Sequence, residues 1–146
     1  MKKILLLLLS FVMIFSLASG LISCGKEEVE TKITPNLNAE YAKEHLESAG
    51  YKVIYTSGVQ ASIMDSAAIA IISASKGSDK IDIVYYNDVS SASSAYANMV
   101  NDYQIDKEIA ENFGKEFNDI VGTAQNSVNG VYLVYRGTEN AINASK

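Results

Sequence analysis

AIAIISASKGSDKIDIVYY, Ala68–Tyr86, is the stretch whose reading decides the fold. Its centre, Lys76-Gly77-Ser78-Asp79, is a turn sequence: glycine reaches backbone angles closed to other residues, and serine and aspartate bond to nearby main chain. Lys80–Tyr86 beyond it is rich in β-branched and aromatic residues and reads as a strand. Before it, alanines permit a helix and isoleucines a buried strand. The turn and the strand that follows decide for a strand over Ala68–Ser75, and so for an antiparallel hairpin. Residues 59–67 are left without an assignment.

Working outward, NLNAEYAKEHLESAG (36–50) has the marks of a helix. Asn38 is placed to cap it, Ala42, His45, Leu46 and Ala49 recur at helical spacing, and Gly50 stops it. Tyr51–Thr56 is a β-rich run ending at Gly58. After the hairpin, Asn87 or Asp88 caps a helix in which Val89, Ala92, Tyr96, Met99, Val100 and Tyr103 repeat at three and four residues. A second, short helix is expected from Asp106, with Ile109 and Phe113 turned inward and Gly114 as its stop. Phe117–Thr123 and Val131–Arg136 read as strands joined by the loop QNSVNG, and Thr138 as the cap of a last helical turn. Strand links that include hairpins, interspersed with helices, predict an α+β fold: a two-layer sandwich with a mainly antiparallel sheet and helices on one face.

Alternation sorts the strand residues. Tyr51, Val53 and Tyr55, Ile81, Ile83 and Tyr85, and Val131, Leu133 and Tyr135 form the more apolar face, expected under the helices. The opposite face would display Lys52, Asp82, Tyr86, Tyr132 and Arg136. Tyrosine beside fixed charge suits a peptide, glycan or protein contact, because the ring offers large area at low entropy cost; it equally suits a solvated sheet face, where tyrosine is simply a good strand former.

The amino-terminal end carries a different signal. Met1-Lys2-Lys3 precedes Ile4–Ser23, which holds no charge, and the single cysteine of the chain, Cys24, follows. A basic start, an apolar run and small residues before a cut site make a secretory signal. Leu21-Ile22-Ser23-Cys24 resembles the lipobox of bacterial lipoproteins. The resemblance implies cleavage after Ser23, a diacylglyceryl group on the Cys24 sulfur, and anchoring to the outer face of the cell membrane, or to an outer membrane where the organism has one. Residues 1–23 are then the signal peptide, 24–36 the lipidated cysteine and a charged, flexible tether containing the only proline, Pro35, and 37–146 one small domain. The lone cysteine excludes a disulfide framework and a cysteine-based metal cluster.

Loss of Lys2 and Lys3 with the leader leaves ten Lys+Arg against seventeen Asp+Glu, a net charge of −7 on the mature chain. That charge argues against nucleic acid as a partner and against flat adsorption on anionic lipid. His45, the one histidine, has no Ser or Cys nucleophile at a readable spacing and reads as a residue at the edge of a helix face. Asp79, Asp82 and Asp88 do not follow calcium-loop spacing. There is no phosphate loop, nucleophile elbow or HExxH motif, and neither metal nor cofactor is expected. The reading is a membrane-anchored, non-catalytic binding module of the cell envelope, with an envelope protein, peptide or glycan as partner. The alternative is a small envelope enzyme with paired carboxylates, which need meet only in space.

Overall fold

The computed structural model describes residues 33–126 and 129–146. The expected signal peptide, Cys24 and most of the expected tether lie outside the described residues. Five strands, β1 (Lys52–Ser57), β2 (Ala68–Lys76), β3 (Asp79–Tyr86), β4 (Asp119–Asn126) and β5 (Val131–Thr138), form one antiparallel sheet in the order β1-β2-β3-β5-β4. Four helices accompany it: α1 (Ala39–Ser48), α2 (Val59–Met64), α3 (Val89–Asn112) and α4 (Glu139–Ala144). The fold is α+β. Among the described residues no helix is long and apolar enough to cross a membrane.

The turn at 77–78 works as its residues require. Lys76 faces Asp79 across a two-residue loop, and Gly77 takes φ +61°, a left-handed value that glycine adopts without the Cβ clash. The caps of α1 also follow the sequence. The Asn38 side chain accepts from the Glu40 and Tyr41 N–H groups. At the other end Gly50 N–H bonds Glu47 O and Tyr51 N–H bonds Leu46 O, with Gly50 at φ +82°, the double bond of a Schellman stop.

Both sheet faces are buried over much of their area. On the first face Ala42 and Leu46 of α1 and Ala141 and Ile142 of α4 pack on Ala70, Ile72, Ala74, Ile81, Ile83, Tyr85, Leu133 and Tyr135. On the second, Ala61 of α2 and Ala92, Ala95 and Met99 of α3 cover Ile71, Val84, Tyr86, Tyr132 and Val134. The expected second layer of helices is therefore present, but the expectation that all helices share one face is corrected. Val84, Val134 and Tyr86 make the second face too apolar to leave wet, and the small alanines of α2 and α3 let a helix approach it closely.

Three boundaries also differ from the sequence reading. Ile33–Asn36, expected in the tether, belongs to the domain. Pro35 is buried, Tyr135 Oη donates to Ile33 O at 2.8 Å, Tyr85 Oη donates to Asn36 O at 2.8 Å, and Asn36 N–H donates to Ser145 O at 2.9 Å. The two expected helices after the hairpin are one, α3, because no glycine or proline interrupts Val89–Asn112 and the Asp106 side chain bonds elsewhere instead of capping. Ile109 and Phe113, expected inside, are 50% and 75% exposed. Thr138 makes no cap bond for α4; its Oγ1 donates to Asp79 Oδ1 at 2.9 Å.

Candidate functional site

The five residues read as one displayed face are divided by the helices. Tyr86 is buried at 2% exposure beneath α2, and its Oη donates to Asp65 Oδ2 at 2.6 Å. Burial first, then the Asp65 carboxylate, pushes its pKa up, so it is a neutral donor that ties α2's end to the sheet. Tyr132 is half-buried against the core that α3 covers. The Tyr86 ring offers no free face for a ligand, whereas Tyr132 lines a cavity of ≈ 460 Å³ between α3 and β4–β5 with Tyr96, Thr123 and Gln125. Lys52 and Asp82 remain exposed.

Arg136 is the centre of an ion cluster. Its Nη2 lies 2.7 Å from Asp106 Oδ2 on α3, and its Nε donates to Asp119 Oδ2 at 2.9 Å. Lys80 Nζ reaches the same Asp119 oxygen at 3.2 Å. The guanidinium also lies over the Phe117 and Tyr103 rings at 5.6 and 6.0 Å. Burial alone would lower the Arg136 pKa; Asp106 and Asp119 outweigh it, and the net direction is up. Asp119 is buried, and a buried carboxylate with two cations is a satisfied one. The cluster fastens α3 to β4 and β5, and Arg136 is already engaged by two carboxylates.

A strip of the second face beyond the reach of α2 and α3 also stays open. The register sets Ile54, Ser73 and Asp82 in one row across β1, β2 and β3, with Lys52, Ser75 and Lys80 in the next. They line a shallow cavity of ≈ 270 Å³. Ser73 Oγ donates to Asp82 Oδ1 at 2.6 Å, which fixes that carboxylate, and Ile54 is 63% exposed beside it. Lys52 has no ion-pair partner among the described residues. An ammonium, an oriented carboxylate, two hydroxyls and an apolar side chain on a flat strip are the contacts that an extended polar chain uses. Of these, Lys52 and Asp82 were legible in the sequence. Ile54, Ser73, Ser75 and Lys80 were not singled out, although alternation along β1 and β2 places them.

A larger cavity of ≈ 800 Å³ opens at the end of the sheet that carries the Gly77 turn. Asp79, Glu116, Asp119 and Glu139 line it with Lys80, Asn118, Thr138 and Asn140. Its two inner carboxylates are occupied: Asp119 by the cations above, and Asp79 by Thr138 Oγ1 and by Asn140 Nδ2 at 3.3–3.4 Å. Among the described residues no group of three or more His, Cys, Asp or Glu side chains is placed to hold a metal ion. His45 is exposed, stacked at a tilt beside Tyr41, with Nδ1 in contact with the Lys146 carbonyl; among the described residues no hydroxyl bonds it. No family model, curated protein or solved structure matches this chain.

Proposed function

We propose that this chain is an exported lipoprotein, anchored through Cys24, whose domain is a non-catalytic binding module of the cell envelope. The observation that carries the binding half is the open strip on the second face. There Lys52 stands without an ion-pair partner among the described residues while Ser73 holds Asp82 in a fixed orientation, beside a bare Ile54. Ordered polar groups around an exposed apolar side chain favour a peptide or glycan in an extended conformation. Tyr86 and Arg136, included in the sequence reading of this face, leave it; Ile54, Ser73, Ser75 and Lys80 join it.

The anchor rests on the Leu21-Ile22-Ser23-Cys24 motif. One acyl chain binds a bilayer marginally, whereas two or three hold it firmly. Cys24→Ser is expected to leave an uncleaved precursor without lipid label; normal processing of that variant would overturn the anchor.

The binding half is tested by crosslinking the protein in its own cells and comparing wild type with Lys52→Ala plus Asp82→Ala. Both side chains are exposed, so the variant's unfolding midpoint is expected to stay unchanged. Loss of a specific crosslinked partner supports the strip as the contact; a partner retained by the variant places the contact elsewhere. The envelope-enzyme reading stands second. The observation that favours it is the ≈ 800 Å³ cavity with four carboxylates, but the inner two are engaged, and that leaves only the exposed Glu116 and Glu139 for acid–base work.

A further inference from the structure

Three tyrosines hold the fold through their hydroxyls: Tyr85 donates to Asn36 O, Tyr86 to Asp65 and Tyr135 to Ile33 O. Tyr96 and Tyr132 have no such task. Among the described residues no hydrogen bond engages either hydroxyl, and both residues line the cavity of ≈ 460 Å³ between α3 and β4–β5. Its walls follow from two periodicities. On α3, Val89, Ala92, Ser93 and Tyr96 recur at three and four residues and share one stripe. On the sheet, Gln125 is the direct partner of Tyr132, and Thr123 of Val134, so alternation brings Thr123 and Gln125 to the face that α3 covers. The short side chains of Ala92 and Ser93 leave the space between helix and strand unfilled. β4 is the last strand of the sheet, and no further strand closes the cavity on that side.

The chemistry of the lining selects the ligand. The volume lies within the range of about 300–1,000 Å³ that small-molecule sites occupy. Among the described residues that line it none is charged, unlike the strip with Lys52 and Asp82 and the cavity with four carboxylates. Asp88, beside Val89 in the chain, turns its carboxylate to the Ser91 N–H at 2.8 Å. A charged ligand would lose water here with no countercharge to replace it. A purely apolar ligand would cover the Gln125 amide and the Tyr96 and Tyr132 hydroxyls and leave them unpaired. An uncharged ring with hydroxyls on its rim and apolar C–H faces meets both demands: a tyrosine ring packs on the face while amide and hydroxyl groups bond the rim. That is the chemistry of a sugar unit.

We infer that this cavity is a binding site for one neutral sugar ring, free or at the end of a glycan, packed on Tyr96 and Tyr132 with the Gln125 amide on its hydroxyls. The site lies on α3, β4 and β5, whereas the strip proposed above lies on β1, β2 and β3. It therefore depends neither on that reading nor on the anchor.

The full-length protein, in a zwitterionic detergent free of sugar, is titrated by calorimetry with glucose, galactose, N-acetylglucosamine and a soluble chitin oligosaccharide. Ser93→Leu adds bulk to the cavity from an exposed helix position, and Tyr96→Phe plus Tyr132→Phe removes both free hydroxyls. Each variant is expected to keep the wild-type Tm and to bind severalfold more weakly, while Lys52→Ala plus Asp82→Ala binds as wild type does. Binding that either cavity variant weakens supports the site. Equal affinity for N-acetylglucosamine and the oligosaccharide then identifies a free sugar as the ligand; tighter binding of the oligosaccharide identifies a glycan. Binding of none of these sugars at millimolar concentration, or binding that both cavity variants leave unchanged, overturns the site. Loss of binding in the Lys52 and Asp82 variant alone places the sugar on the strip and overturns the cavity. Glucuronate or benzyl alcohol bound as tightly as the neutral sugars overturns the ligand class.

Discussion

Gly122→Ala tests how tightly the first face is closed. Gly122 and Tyr135 are direct partners across β4 and β5, and the tyrosine ring lies over the glycine. A Cβ on residue 122 would fall 2.3 Å from Tyr135 Oη, 2.5 Å from Cζ and 2.9 Å from Cε1. The ring has nowhere to go: Tyr135 is fully buried and its hydroxyl holds Ile33 O at 2.8 Å. Overpacking of this kind costs about 1–3 kcal/mol. Release of the hydroxyl adds about 1 kcal/mol, while the stiffer unfolded chain of alanine returns less than about 1 kcal/mol. The expected net loss is about 2–3 kcal/mol, a fall of roughly 10 °C in Tm for a domain of this size. Urea denaturation of the Gly25–Lys146 chain, followed by far-UV circular dichroism, measures it. Tyr135→Phe removes the closest clashing atom and frees the ring from Ile33, so the double variant is expected to be more stable than the sum of the singles by about 1 kcal/mol. Strict additivity, or a Gly122→Ala protein within about 0.5 kcal/mol of wild type, would refute the account of a shared space.

Arg136→Ala strands Asp119 with Lys80 alone and frees Asp106; breaking a buried pair in this way is expected to cost about 3 kcal/mol. Arg136→Lys should recover only part of that in the same denaturation experiment, since one ammonium replaces neither the fork to two carboxylates nor the contact with Phe117 and Tyr103. Full recovery by lysine would show that charge alone matters there. Burial raises the pKa values of Tyr85, Tyr86 and Tyr135. The folded state therefore keeps protons that the unfolded chain releases near pH 10, so stability is complete below about pH 10 and falls as pH rises through the folded-state values, by about 4 kcal/mol per pH unit when all three contribute. Phenolate absorbance and loss of circular dichroism should then rise together in an alkaline titration; ionisation of these three in a protein that stays folded would contradict their burial.

The parts of the fold that local chemistry dictates were legible. Asn38, Gly50, Gly77, Asp88 and Gly114 each act on a backbone group within a few residues, and each sits where its element starts or stops. The apolar strand sets also met helices as alternation required. On the second face Asp82 is exposed, as expected, but Arg136 is covered. The residue that neutralises Arg136 from above, Asp106, is thirty positions away in the sequence and becomes its neighbour only when α3 lies across β5. A fairer signal was available in VYLVY and IVYY: Val134 and Val84 make both faces of the central strands apolar, the pattern of a strand covered twice. Residues 59–67 resisted assignment for a related reason. A six-residue helix has no full apolar stripe, and α2 buries only Ala61.

One mismatch of lengths accounts for much of what the sequence hid around the site. At 1.5 Å per residue the 24 residues of α3 extend about 36 Å, whereas the eight residues of β5 at about 3.3 Å extend about 26 Å. A helix that starts beside the end of β3 must therefore outrun the sheet by about two turns. The overhang explains why Ile109 and Phe113, at a spacing that reads as core, have no sheet beneath them and are exposed. It also explains the charge cluster. Asp106 lies where the helix passes the last residues of β5, so Arg136 meets it there, and Phe117 folds back from the turn after the helix onto Tyr103, with ring centroids 5.1 Å apart, to cover the guanidinium. A helix shorter by two turns would take Asp106 away and leave Arg136 with Asp119 as its one carboxylate partner. The open strip around Lys52, Ser73 and Asp82 is thus left on that face after α3 has claimed β3, β4 and β5 and α2 has claimed the far ends of β1 and β2, and its position is set by the two helices that the sequence alone did not place there.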